Sequence, residues 1–222
     1  MGRVPFVPTP DSVVRTAFRE AGVKAGDTIL DLGCGDGTVL IIAAKEFEAN
    51  GVGYEIDERL ATKAVENVNR HGLAEKIRII NDDLRNAVDD VESADFVWTY
   101  LTPSLMKEIK GMLSKAKKLI SYSFPIAGLK PSRTIGNRIY LYDFESGVEE
   151  YDVGQEEKKS VFATYDEYVG FIAHKYKPLL MNITGVVDVV PTGAVITVLT
   201  ESESNTELPK MIEGVRIAKK II

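Results

Sequence analysis

"DLGCGDG", Asp31 to Gly37, ends the short apolar run "TIL" (Thr28 to Leu30) and leads into the helical stretch "TVLIIAAKEF" (Thr38 to Phe47). An apolar run stopped by glycines reads as a buried strand of a parallel sheet. Glycines between a strand and a helix let backbone N–H groups approach a ligand closely. The dinucleotide fingerprint wants glycines at relative positions one, three and six. Gly33 and Gly35 fit it, but the sixth position is Thr38 and the third glycine, Gly37, comes one place early. A P-loop is excluded as well, because no Gly-Lys-Ser/Thr follows.

The acid two places before Gly33 decides what the loop serves. A carboxylate at Asp31 repels a pyrophosphate and attracts an ammonium group. The next strand, "GVGYEID" (Gly51 to Asp57), brings Glu55 one βαβ crossover beyond the loop, placed for ribose hydroxyls. A third strand, "IRIINDDL" (Ile77 to Leu84), brings Asp83, placed to accept from an adenine amine. An ammonium, a ribose, an adenine and no phosphate describe S-adenosylmethionine. Acids at three successive strand ends, in this order, make simple capping an insufficient reading.

Further out, strands and helices alternate. "DSVVRTAFREAG" (Asp11 to Gly22) is an amphipathic helix with Asp11 as its N-cap. "ERLATKAVENVNRHG" (Glu58 to Gly72) is a helix closed by glycine. "ADFVWTYL" (Ala94 to Leu101) is the fourth strand, "SLMKEIKGML" (Ser104 to Leu113) a helix, "KKLISYSF" (Lys117 to Phe124) the fifth strand, and "RIYLYDF" (Arg138 to Phe144) a late antiparallel strand. The pattern is α/β, a doubly wound Rossmann-like sheet. "ESGVEEYDVGQEEKK" (Glu145 to Lys159) is acidic and aperiodic and reads as a linker. After it come a helix (Thr164 to Leu180), two strands around Pro191-Thr192-Gly193, a short helix (Asn205 to Gly214) and a last strand (Val215 to Ile222). The expected division is a cofactor domain at 1–146, a linker at 147–160 and a small α+β domain at 161–222. The small domain carries no glycine loop and no clustered acid–base pair. Its role is acceptor recognition or self-association as a homo-oligomer.

Composition narrows the partners. The 222 residues carry 27 basic and 33 acidic side chains, a net charge of −6. Affinity for nucleic acid rests mostly on Lys and Arg, so nucleic acid is not an expected partner. No apolar run reaches the length of a membrane helix, and "MGRVPFVPTPD" lacks the apolar stretch of a secretory signal. The one cysteine, Cys34, excludes an intrachain disulfide and fits a reducing, cytoplasmic setting. His71, His174 and Cys34 stand too far apart for a metal site, so no metal is expected. Both histidines and Trp98 read as structural.

"DLGCGDG", "GYEID" and "NDDL" resemble motifs of the class I methyltransferases that use S-adenosylmethionine. With "FVPTPDSVVRTAF" (Phe6 to Phe18), "KKLISYSFPIAGLKP" (Lys117 to Pro131) and "IYLYDF" (Ile139 to Phe144), residues 4–144 resemble the small archaeal protein-lysine methyltransferases and their mitochondrial relatives. The resemblance implies that Asp31, Gly33, Gly35 and Asp36 line the methionine moiety, that Glu55 takes the ribose, and that Ile56 packs on adenine. It puts Asp83 at the exocyclic amine, Thr9 over the amino-acid end and Tyr100 near the methyl group. It also implies a protein substrate reached through lysine side chains. The family's Tyr before "VPTP" is Phe6 here, and the acid after its fifth strand is Ser123. No Asp/Asn-Pro-Pro-Tyr motif follows the fourth strand, where "TYLTP" stands, which argues against adenine-N6 and glutamine methylation. Tyr100, Tyr122 and Phe124 are the candidate aromatic collar for a lysine amine. A small-molecule or RNA methyltransferase and a non-catalytic cofactor-binding scaffold are the alternatives.

Overall fold

The computed structural model describes residues 8–136 and 138–150. Of the later chain it describes Ala173, residues 180–181, 186–192, 195–200, 211–212 and 215–221. Two separate units result, divided at residues 161 and 162.

In the larger unit α1 (Asp11–Ala21) buries Val14, Ala17 and Phe18 at helical spacing and is closed by Gly22 in the left-handed conformation. Pro10 takes the cap position in place of Asp11, which is already helical. Five parallel strands follow: β1 (Thr28–Leu32), β2 (Asn50–Tyr54), β3 (Ile77–Ile80), β4 (Phe96–Thr99) and β5 (Lys118–Tyr122). Between them run α2 (Thr38–Glu46), α3 (Glu58–Arg70), α4 (Val88–Ser93), α5 (Pro103–Glu108) and α6 (Lys110–Leu113). The helix expected over Ser104 to Leu113 is two, divided at Ile109. The antiparallel β6 (Arg133–Ile135) and β7 (Ile139–Asp143) complete the sheet. Its order is β3-β2-β1-β4-β5-β7-β6. The chain reverses its direction of sheet growth between β1 and β4, and ligands of such sheets bind at the C-terminal ends of the strands there.

One face of the sheet packs Ile29, Phe96, Trp98, Ile120 and Tyr122 against α1 and α2. Trp98 is 1 % exposed and meets Phe18 edge-on at 5.6 Å, a core residue as expected. The six consecutive residues Val39 to Ala44 are all buried, so α2 lies inside the unit. On the opposite face the Ser121 hydroxyl meets Met106 Sδ of α5.

The smaller unit holds a four-stranded sheet in the order β10-β11-β9-β8. β8 (Val186–Thr192) and β9 (Val195–Thr200) are an antiparallel pair, and β11 (Val215–Ile221) runs parallel to β9. Met211–Ile212 is β10, paired with β11, where a short helix was expected over Asn205 to Gly214. Of the helix expected over Thr164 to Leu180, Ala173 and Leu180 are described and helical. The rest of it, with His174, lies outside the described residues, as do Phe6 and residues 151–160 of the expected linker. That linker's first part is paired: Glu149 accepts from the Lys130 N–H and Glu150 bridges Leu129.

Candidate functional site

The glycine loop is tied down by its own backbone. The Gly33 and Cys34 N–H groups both donate to the Tyr54 carbonyl, and the Gly37 N–H donates to the Cys34 carbonyl, each at 2.9 Å. The Gly35 N–H donates to Glu55 Oε2 at 2.9 Å. The Thr38 N–H donates to Asp36 Oδ1 at 3.3 Å. A phosphate-binding loop leaves such donors for its ligand; here they are spent within the protein. Gly33 sits at φ +84°, and a Cβ there would stand 3.2 Å from Leu101 Cδ2.

Asp31 lies near the C-terminal end of β1, 3 % exposed. No cation or hydrogen-bond donor among the described residues meets its carboxylate. Burial first, then the charges of Glu55 and Asp36, push its carboxyl up to about 8. Burial together with Asp31 and Glu55 also drives the Cys34 thiol far above its ordinary value, which keeps it protonated and unreactive. The cluster is a buried negative site whose electrostatic deficit is a cation.

Glu55 follows β2 and is 8 % exposed. Besides the Gly35 N–H, it accepts the Asp57 N–H on Oε1 at 2.9 Å. Each oxygen thus holds one backbone donor and keeps a second acceptor position. That suits two vicinal hydroxyls. The Asn81 amide, after β3, donates to the Glu55 carbonyl at 2.8 Å and fixes this corner. Ile56, beside Glu55, is 70 % exposed, an apolar platform at the rim. Asp83, three residues after β3, accepts from the Arg85 N–H and is paired with the Arg85 guanidinium.

The other expected residues fall as follows. Asp36 spends Oδ1 on the Thr38 N–H and hydroxyl and Oδ2 on Lys63 of α3, so its carboxylate steadies the start of α2. Thr9 is half-buried just before α1. Tyr100 and Tyr122 meet edge-on with ring centroids 4.8 Å apart. By register Asp31, Trp98 and Ile120 share one face of the sheet, and Tyr100 and Tyr122 lie two residues further along their strands. Phe124 is buried, its carbonyl accepting from the Ser121 hydroxyl. Ser123, between the tyrosine and the phenylalanine, has φ +71°, a costly backbone state for a residue with a Cβ. Arg138 holds it there. Its carbonyl accepts the Ser123 N–H, its guanidinium donates to Ser123 Oγ at 2.7 Å, and Cζ stands 5.0 Å from the Tyr122 ring centroid. Arg138, Asn81 and Arg85 were not among the residues expected from sequence. Only Arg85, two residues after Asp83, had a local signal.

The donor set fits S-adenosylmethionine: an uncompensated buried carboxylate for its ammonium, paired acceptors at Glu55 for its ribose, and an exposed isoleucine for its adenine. A model of the ANTKMT methyltransferase domain matches residues 31–133. The chain is 34 % identical to a protein-lysine N-methyltransferase of Saccharolobus islandicus over 63 % of its own length and 92 % of that enzyme's. It is 28 % identical to an ATP synthase lysine N-methyltransferase of Xenopus laevis, over 63 % of its own length and 63 % of that protein's. Among solved structures, an RNA methyltransferase from Salinibacter ruber with bound S-adenosyl-L-homocysteine matches at 31 % identity and TM-score 0.59. The match covers 67 % of this chain and 97 % of that one.

Proposed function

We propose, from the premise that the chain belongs to the S-adenosylmethionine-dependent methyltransferases, in the family of the protein-lysine N-methyltransferases, that it methylates lysine amines of a protein substrate. The observation that carries the reading is Asp31, a buried carboxylate with no cationic partner among the described residues, on the sheet face that ends in the Tyr100–Tyr122 pair. When bound, the cofactor supplies an electrophilic methyl group. The chain's residues supply binding, alignment and exclusion of water. Asp31 takes the ammonium, with Gly33 and Gly35 leaving room for the amino-acid end and Thr9 closing over it. Asp36 keeps the loop joined to α2. Glu55 takes the ribose, Ile56 the face of the adenine and Asp83 its amine.

A lysine amine attacks only when neutral, and its ordinary pKa is about 10.4. Tyr100, Tyr122 and Phe124 form the collar that strips water from it, and desolvation disfavours its charged form. Arg138, stacked on Tyr122, adds a fixed positive charge beside the collar where relatives carry an acid. No obligatory general base is invoked.

A second reading, methylation of RNA, is supported by the name of the Salinibacter relative. The acidic balance of the chain weighs against it. Incubation with methyl-labelled cofactor and a lysate from the same source separates the two. Label is expected in methyl-lysine after acid hydrolysis of the protein fraction, and not with Glu55→Ala. Label confined to RNA or to small molecules would sink the lysine reading. The buried thiol of Cys34 supports a reducing, cytoplasmic setting. Among the described residues no helix is long and apolar enough to cross a membrane.

A further inference from the structure

Asp83 is held in an unusual way for a ligand-facing carboxylate. A carboxylate has about four acceptor positions. Oδ1 of Asp83 takes two donors, the Arg85 N–H at 2.9 Å and Arg85 Nη1 at 3.0 Å. Oδ2 takes Nη1 at 2.7 Å. One position remains, on Oδ2. Arg85 is itself gripped from behind. Its Nε donates to Glu108 Oε1 at 2.8 Å and its Nη2 to Glu108 Oε2 at 3.1 Å. This is the bidentate arrangement that fixes a guanidinium in direction as well as in distance. The hydrogen bond from Arg85 holds the Glu108 carboxyl below the ordinary carboxylate range.

An isolated surface ion pair contributes little. Here one guanidinium bridges two carboxylates that stand on different elements, one at the end of β3 and one on the last residue of α5. Rotation of Asp83 about its side-chain bonds breaks two charge-assisted bonds at once. Lys cannot substitute for this, because its ammonium has no planar fork.

We infer that Arg85 and Glu108 are positioning residues that make the site selective for an amino group over an oxo group on the purine of its cofactor. They hold Asp83 with a single acceptor open. The inference rests on the cofactor reading above. A purine bearing an exocyclic amine satisfies that acceptor with one N–H. A purine bearing a carbonyl there sets oxygen against oxygen. A freely rotating Asp83 would turn away from the carbonyl and discriminate less.

The test is calorimetric binding of two ligands to the full chain, S-adenosylhomocysteine and its deaminated analogue S-inosylhomocysteine. The wild type should prefer the adenosyl ligand by about tenfold or more, the value of a hydrogen bond to a charged group. Glu108→Ala and Arg85→Lys should each shrink that preference about threefold or more, with Glu108→Gln between them and the wild type. A ratio unchanged in Glu108→Ala and Arg85→Lys overturns the inference. So does an equal fall in both affinities, the mark of a general structural effect that circular dichroism would register. A wild type that binds both ligands alike overturns it while leaving the cofactor reading intact. Absence of any S-adenosylhomocysteine binding to the folded wild type overturns both.

Discussion

Single carboxylates carry most of the proposed chemistry, and Asp31 has the sharpest consequence. Its carboxyl is pushed up to about 8 by burial and by Glu55 and Asp36. Near neutral pH the ligand-free protein therefore holds a proton there, and a cationic ligand expels it. Cofactor affinity should rise with pH through about 8 and fall below it, approaching tenfold per pH unit. Calorimetry in buffers of differing ionisation heat should record the proton released. The sign for folding is opposite. A raised carboxyl pKa gives stability that is fully present below the ordinary carboxylate range and lost as pH rises through about 8. Asp31→Asn should flatten that loss in thermal melts while abolishing cofactor binding. A melt that falls as steeply as wild type would remove Asp31 from this role. Glu55 makes a different demand. Glu55→Ala removes two ribose acceptors and releases the Gly35 N–H, so S-adenosylhomocysteine affinity should fall roughly 10- to 150-fold, and less for Glu55→Gln. Unaltered affinity in a folded variant would exclude Glu55 from the site.

At the scale of elements, β2 and the loop after β1 are fitted to each other at Gly53. A Cβ on Gly53 would stand 2.7 Å from Cys34 Sγ, 2.8 Å from Leu40 Cδ1 and 2.9 Å from Cys34 Cβ. Gly53→Ala should cost about 1–3 kcal/mol in denaturant unfolding. It should also weaken cofactor binding, because relief comes from moving Cys34 and with it Gly33 and Gly35. A variant as stable as wild type would show that the loop yields freely. The strand-end acids were legible beforehand because each follows a periodic apolar run that ends in a glycine or an acid. Arg138 and Glu108 were not. Each acts on a residue 15 or 23 positions away, and only register and helix placement bring them there. The break at Ile109 and the strand at Met211–Ile212 escaped for a related reason. Both segments are short, and local propensity yields to the neighbours they pair with.

At the scale of the whole chain, we propose that residues 8–150 hold the entire cofactor site. The boundary expected at Ser146 falls inside a paired segment, since Glu149 and Glu150 bond Lys130 and Leu129. A fragment ending at residue 150 should bind S-adenosylhomocysteine within a few-fold of the full chain, and one ending at Ser146 should melt earlier. A folded 1–150 fragment with no affinity would show that the smaller unit belongs to the site. We also propose that β8 and β10, the edges of the small sheet, carry self-association or acceptor docking. Light scattering should then give a smaller particle mass per chain for the fragment than the loss of one unit predicts. The same monomeric state for both would leave only the docking role.

The placement of β11 has a bearing on biosynthesis. It lies between β10 and β9 although it is the last strand to be made. The β8–β9 pair leaves the ribosome with one side of β9 open, and that side closes only when residues 215–221 have been translated. The larger unit needs nothing beyond residue 150 to pair its own strands. Synthesis thus passes through an interval in which a finished catalytic body trails a half-built sheet. A ribosome stalled within that interval exposes the kind of strand edge on which chaperones and aggregating partners seize.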